Sequence, residues 1–104
     1  MKEIKAFIHR NRITDVIHAL KAAGFRNLSI VDVKGMLKAL DNKEQNYSVE
    51  LGSAVITEMK LELVCENERI DEATQLIQQH AHTGQADAGW IYVTDITQAI
   101  RIDG

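Results

Sequence analysis

One hydrophobic pattern occurs twice in this chain, the second copy 57 residues after the first, and this repeat restricts the possible folds more than any other feature. Each copy begins with alternating apolar residues, the pattern of a half-buried β-strand. Each then continues with apolar residues three and four positions apart, the pattern of a helix packed on one side. The matched pairs are Ile4 with Leu61, Ala6 with Leu63, Ile8 with Cys65, Ile13 with Ile70, and Leu20 with Ile77. Since a second strand follows each helix, the chain is expected to be a βαβ unit repeated once.

The repeat predicts an α+β fold of the ferredoxin-like type, in one domain over residues 1–104. In this βαββαβ sandwich, a four-stranded antiparallel sheet carries two helices on one face. The predicted strands cover residues 3–8, 28–33, 59–65 and 90–96, with a short edge strand over 99–102. Asn11 or Thr14 is expected to cap the first helix, Asn67 the second, and Gly24 to end the first helix in the left-handed conformation. A doubly wound sheet is excluded because the chain has too few alternating units and no glycine-rich turn after its first strand.

Between the second and third strands, residues 34–57 show no sustained period. A loop of that length inside a compact domain is uncommon and is typically functional or mobile. We therefore expect a long arm loop at about residues 35–57, whose Tyr47, Glu50 and Leu51 are candidates for contact with a partner.

The sheet face away from the helices also carries apolar side chains. Phe7, Val31, Val33 and Val64 fall on this face by alternation. An isolated chain would expose them, so an oligomer is expected.

Composition excludes several classes of protein. The net charge of −3 argues against a nucleic-acid binder, which would need a basic stripe. There is no apolar run long enough to cross a membrane, and residues 1–5 do not begin a secretory signal. The single cysteine, Cys65, cannot form an internal disulfide, and a reducing cytoplasm is the expected location. The histidines and Cys65 lack the spacing of a zinc site, so no metal is expected within one subunit.

Three groups of residues carry a resemblance to a known family. They are Val33-Lys34-Gly35, the strand from Met59 to Val64, and a C-terminal region with His82-Thr83-Gly84, Gly89-Trp90 and Arg101-Ile102. In these residues, and in spacing over nearly the whole chain, the sequence resembles the PII signalling family, as a divergent PII-like member. The resemblance implies a homotrimer that is not an enzyme. It also implies inter-subunit clefts that each hold an adenine nucleotide, and an arm loop that docks on a membrane transporter or an enzyme.

The resemblance assigns roles to particular residues. Gly35, Glu62 and Val64 match the family's adenine pocket, and Ser29 stands where a threonine is usual. Thr83, Gly84 and Gly89 match its phosphate loop, Arg101 its first C-terminal arginine, and Lys38 an arginine at the base of the arm. By its own position on a strand, Glu62 can equally pair with Lys5 or Lys60.

Three departures change the expected ligand. Trp90 stands where the family has a lysine, Asp103 where it has a second arginine, and Asp87 where it has a glycine. Since cations are lost beside the phosphates, ADP, AMP or cyclic AMP is expected to suit the site better than ATP. Trp90 is left with three roles: interface anchor, stacking surface or core residue. The arm reads Ser48-Val49-Glu50-Leu51 in place of the family's Gly-Ala-Glu-Tyr, so nucleotidylation there is not expected.

Two other functions remain open from the sequence. One is a trimeric divalent-metal-binding protein of heavy-metal tolerance on the same fold, with ligands converging across the trimer. The other is a small acyl phosphatase, for which Arg10-Asn11-Arg12 after the first strand is a weak match.

Overall fold

The computed structural model describes residues 1–33, 59–84 and 89–104. Its elements are β1 (Lys2–Ile8), α1 (Arg10–Ala22), β2 (Leu28–Asp32), β3 (Met59–Cys65), a 3-10 turn (Asn67–Arg69), α2 (Ile70–Ala81) and β4 (Gly89–Asp95). The strands form a four-stranded sheet in the order β2-β3-β1-β4, and each neighbouring pair is antiparallel. This confirms the ferredoxin-like α+β fold and the repeated βαβ unit.

The core lies between the helices and one face of the sheet. The composition of this core follows from the strand and helix periods of the sequence. Alternation sends every second strand residue inward, and each helix presents one apolar stripe. The largest fully buried side chains are Ile4, Ile8, Leu20, Leu61, Leu63, Ile77 and Val16. All but Val16 belong to the matched pairs of the repeat, so both copies contribute equivalent positions to one core.

The first helix ends as predicted but begins earlier. Gly24 has φ +91°, and its N–H donates to the Lys21 carbonyl at 3.0 Å while Phe25 N–H donates to Leu20 at 3.0 Å. These two bonds make a Schellman motif. The predicted caps Asn11 and Thr14 are wrong: His9 is the N-cap, because the chain turns into the helix one residue after β1 ends.

Asn67 does not cap the second helix either. Its side-chain Oδ1 accepts a hydrogen bond from the amino group of Met1 at 2.9 Å. The helix is instead preceded by the 3-10 turn, and its acidic first-turn residues Asp71 and Glu72 suit the positive end of the helix dipole. Asn67 therefore ties the start of β1 to the second repeat.

The edge strand predicted over residues 99–102 is wrong. In the described C-terminal segment, β4 is the last strand, and Ile100 and Ile102 are 77% and 99% exposed. A strand needs a neighbour that accepts its hydrogen bonds, and no described strand lies beside this segment. Alternating apolar residues favour an extended conformation, but they do not show that a hydrogen-bonding neighbour is present.

Candidate functional site

One half of the candidate site lies on the open face of the sheet, the face opposite the helices. Ser29 on β2 is directly opposite Glu62 on β3, and Val64 is two residues further along the same face of β3. Lys5 on β1 is paired in register with Glu62 on one side and Tyr92 on the other. The sheet therefore brings Ser29 together with Glu62 and Val64, the two described residues assigned to the adenine pocket.

Glu62 is already engaged in an ion pair within the chain. The Lys60 Nζ lies 3.1 Å from its Oε1, and the two side chains are only 26% and 29% exposed. Of the two partners predicted for Glu62, the structure selects Lys60, since the Lys5 Nζ is 3.6 Å from Glu3 instead. A carboxylate has more acceptor positions than one ammonium uses, so Glu62 can still accept from a ligand N–H.

The second half of the candidate site lies where α2 ends and β4 begins. Thr83 and Gly84 follow the helix, and Gly84 has φ +82° with no atom near the place of a side chain. Gly89 has φ +142°, and a Cβ added there would overlap the backbone carbonyl of Phe7. Both positions favour glycine, but only at Gly89 does a neighbouring strand forbid a side chain.

Trp90 belongs to a group of three aromatic side chains on the open face, which we call the aromatic shelf (Phe7, Trp90 and Tyr92). The Trp90 and Tyr92 rings are stacked, with centroids 6.3 Å apart and planes at 16°. Phe7 meets Tyr92 edge-on at 6.0 Å. Trp90 is 53% exposed, which removes the core role from the three that the sequence left open.

A cavity of about 430 Å³ lies at the end of the sheet on its helix side, between β1, β4 and the end of α2. This volume is within the range of small-molecule sites. The described residues that line it are Phe7, Ile8, Ile77, Gln78, Ala81, His82, Gly89, Trp90 and Ile91. Its walls are thus mainly apolar, with polar groups from Gln78 and His82.

The direction of β4 does not bring Arg101 to its Gly89 end. The strand runs from Gly89 to Asp95, about 20 Å for seven residues, and Arg101 follows its far end. Arg101 and Asp103 are exposed, and neither makes a hydrogen bond or ion pair within the described residues. Arg101 is also absent from the described residues that line the cavity at Gly89.

The remaining predicted site residues lie outside the described part of the chain. These are Gly35 and Lys38, and the arm residues Tyr47, Glu50 and Leu51. Their assignments stay predictions.

Among the described residues, no group of three or more His, Cys, Asp or Glu side chains is arranged to hold a metal ion. Burial raises the pKa of the half-buried Cys65 thiol, which keeps it protonated near neutral pH.

Neither described helix has the length and apolar composition needed to cross a membrane.

Phe7 and Tyr92 were not predicted as site residues. The signal was present in the sequence, because Tyr92 is two residues after Trp90 and shares its face by alternation. Phe7 joins them only through the register of β1 with β4, which pairs it with Trp90. That register depends on packing between distant segments.

Comparison with known proteins agrees with this architecture. The family model described as nitrogen regulatory protein P-II matches residues 1–104. The P-II protein of Rhodobacter capsulatus is 33% identical over 102 residues, which cover 98% of this chain and 91% of the relative. The P-II protein of Azospirillum brasilense is 30% identical with the same coverage, and P-II 1 of Methanothermobacter thermautotrophicus is 29% identical, with 98% and 89% covered. The chain therefore belongs to the P-II family of signalling proteins.

Proposed function

We propose that this chain is the subunit of a homotrimer that senses an adenine nucleotide in clefts between subunits. The bound effector is AMP, ADP, ATP or cyclic AMP. The trimer acts as a regulator in the cytoplasm rather than as an enzyme. Its output passes through the arm at about residues 35–57, which binds or releases a transporter or an enzyme.

The separation of the site residues within one chain is the observation that carries this proposal. Ser29, Glu62 and Val64 lie on β2 and β3, whereas Gly89 and Trp90 lie on β4, on the other side of β1. Strands in a sheet are about 4.8 Å apart, so β4 lies about 10 Å from β3 and about 14 Å from β2 across the sheet. A neighbouring copy that supplies one of the two groups would complete a compact site, as head-to-tail contacts in a ring do.

The open face of the sheet suits such an assembly. It combines apolar side chains with charges that are already paired, as in the Lys60–Glu62 contact at 3.1 Å. Burying paired charges costs less than burying single ones, because each partner is already compensated. A second copy can therefore cover this face without leaving an isolated charge.

Signalling requires that the ligand bind one state of the arm more tightly than the other. Equal affinity for both states would shift nothing, however tight the binding. Gly35 and Lys38 lie at the base of the arm, a few residues after β2 in the sequence, so a ligand that contacts them would favour one state of the arm. The coupling is then reciprocal, so the partner must also change the affinity for the nucleotide.

The assembly is tested by measuring the mass in solution with and without nucleotide. Sedimentation should give three times the 11.7 kDa of one chain. Because a ligand held between subunits binds only the assembled form, AMP or ADP should maintain the trimer at dilutions where it otherwise dissociates. A monomer at all concentrations, with or without nucleotide, would rule out the proposed site.

The effector is tested by thermal unfolding with ATP, ADP, AMP and cyclic AMP, and with Cu²⁺ or Zn²⁺ in separate samples. A ligand at 100 times its Kd should stabilise each site by about 2.7 kcal/mol. Arg101→Ala should reduce that shift, whereas Lys21→Ala, which removes one charge from the exposed end of α1, should leave it unchanged. Stabilisation by metals alone would favour the metal-binding alternative.

A further inference from the structure

We infer that Ile100 and Ile102 of one copy pack into the apolar cavity of a neighbouring copy, on the helix side of its sheet. The inference rests on the proposed function for the chain being an oligomer. It goes further by naming the segment and the cavity that hold one copy to the next. It also places this contact on the opposite side of the sheet from the open face.

The C-terminal segment carries two large apolar side chains that its own chain does not cover. Ile100 is 77% exposed and Ile102 is 99% exposed, and one residue separates them. Every residue from 97 to 104 is exposed as well. A single exposed apolar side chain is ordinary, but a neighbouring pair in a fully exposed segment indicates a contact surface.

The cavity offers apolar walls to such a segment. Ile8, Ile77, Ala81 and Ile91 line its volume of about 430 Å³, which is ample for two isoleucine side chains. Ile8 and Ile77 are 1% exposed, so the cavity opens directly onto the hydrophobic core. Its described lining residues include no Lys, Arg, Asp or Glu. An uncharged apolar group therefore loses no polar contact on entering.

The apolar surface continues beyond the cavity along β4. Val93 is two residues after Ile91 on the same, helix-side face, and it is paired in register with Ile4. Ile4 is 0% exposed whereas Val93 is 41% exposed, because the core that covers β1 does not extend over the whole of β4. An elongated surface of this kind fits a chain segment with spaced apolar side chains better than a compact small molecule.

A second copy is the occupant because one chain carries both halves of the contact. With 99% of its surface exposed, Ile102 does not lie in the cavity of its own chain. A surface patch that fits a pocket elsewhere on the same molecule makes a head-to-tail contact, which closes into a ring or extends into a fibre. In the closed ring of the proposed homotrimer, each copy gives one segment and accepts one.

Sedimentation of the full chain over a range of concentrations tests the contact. Ile102→Ala should raise the concentration at which the oligomer dissociates at least about tenfold, since buried apolar area is lost. Urea unfolding of the dissociated chain should stay the same, because Ile102 is exposed there. Ala81→Phe, which fills the cavity from the last residue of α2, should weaken the oligomer similarly. Ala22→Phe, at the last residue of α1 and outside the cavity, is the matched control.

Disulfide crosslinking locates the segment. Two single-cysteine chains are made in a Cys65→Ser background, one with Gln78→Cys at the cavity and one, isotopically labelled, with Ile102→Cys. They are mixed at dilution, concentrated and treated with a mild oxidant. A mixed disulfide then joins two copies, and it requires Cα atoms within about 7 Å. It should form for this pair and not when Lys21→Cys, at the exposed end of α1, replaces Gln78→Cys.

Three outcomes would overturn the inference. An oligomer that is unchanged by Ile102→Ala and Ala81→Phe, with no mixed disulfide, would leave the proposed trimer standing and place its contacts elsewhere. Weakening by Ala81→Phe but not by Ile102→Ala would mean that another group occupies the cavity. A chain that stays monomeric at all concentrations, with or without nucleotide, would remove the proposed assembly as well.

Discussion

Arg69 joins the two copies of the repeat through a single side chain. Its Nη2 donates to the Ala23 carbonyl at 2.7 Å, and its guanidinium lies 3.9 Å from the centre of the Phe25 ring. Both of those residues belong to the turn that ends α1, whereas Arg69 precedes α2. Glu72 accepts two further hydrogen bonds, at 2.6 and 3.1 Å, which hold the guanidinium in this position.

Arg69→Ala should therefore lower the free energy of unfolding by about 1–2 kcal/mol, through the lost carbonyl contact and the lost cation–π contact. Arg69→Lys should recover only part of it, because an ammonium lacks the planar fork. Glu72→Ala is the matched control, with a smaller loss since it removes only the exposed pair. Urea unfolding measures all three; equal losses for Arg69→Ala and Glu72→Ala would contradict the linking role.

Asp95 predicts a pH dependence. Its hydrogen bond and charge interaction with Lys2, at 2.6 Å, lower the pKa of this exposed carboxyl from its ordinary 3.8. The pair therefore contributes stability above pH 3.8, and that contribution is lost as the pH falls through the lowered pKa. Asp95→Asn should unfold at a slightly lower temperature than the unaltered chain at pH 7, with the gap closing in acid. Asp103→Asn, which removes another exposed carboxylate, is the control. A gap that stays constant in acid would exclude the Lys2 pair as its cause.

At the scale of elements, the start of β4 depends on a glycine for a steric reason. Gly84 and Gly89 both have positive φ, +82° and +142°, yet only Gly89 faces a neighbouring strand where its Cβ would be. The close approach of Gly89 to Phe7 fixes where β4 begins and which way Trp90 points.

The two glycines form a matched pair for mutagenesis. Gly84→Ala should cost about 1 kcal/mol, from the left-handed backbone alone. Gly89→Ala should cost more than about 2 kcal/mol, because the strand must also move away from Phe7. Thermal unfolding gives the two losses, and amide exchange in β4 locates the damage; similar losses would mean that the strand moves freely.

The regular elements could be predicted because each depends on local periodicity. The strand at Met59–Cys65 and the stripe of α2 differ little from their predicted positions. The helix caps could not be predicted from local sequence. His9 caps α1 because it directly follows the end of β1, and the Asn67 side chain binds the amino group of Met1, at the start of β1, instead of capping α2. The prediction of an edge strand at residues 99–102 was wrong because a strand needs a hydrogen-bonding neighbour, and no described strand lies beside this segment. Similarly, Trp90 could be singled out by position and Tyr92 by alternation, but Phe7 needed the β1–β4 register.

For the whole molecule, the sheet order places β1 in the interior. β1 pairs with β3 on one side and β4 on the other, over all seven of its residues on both sides. β2 and β4 each have one described neighbour. The most stable hydrogen bonds should therefore be those of β1.

Amide hydrogen exchange should be slowest in β1 and faster in β2 and β4, because an edge strand opens without disturbing the rest of the sheet. Exchange is followed by mass spectrometry at several protein concentrations, with the exposed segment over residues 97–104 as the fast reference. If β4 proves as slow as β1 only at high concentration, another copy pairs with its outer edge. Fast exchange in β1 itself would contradict the sheet order.

The same strand order affects how the protein is made. β1 leaves the ribosome first, but its two neighbours are the third and fourth strands of the chain. Ribosomes add about 5–20 residues each second, so β1 waits several seconds for Asp95 to emerge. During that time Ile4 and Ile8, fully buried in the finished protein, have no sheet to join. The nascent chain therefore exposes apolar side chains of the kind that chaperones bind, and a ribosome stalled before β4 leaves a product whose central strand lacks one of its two neighbours.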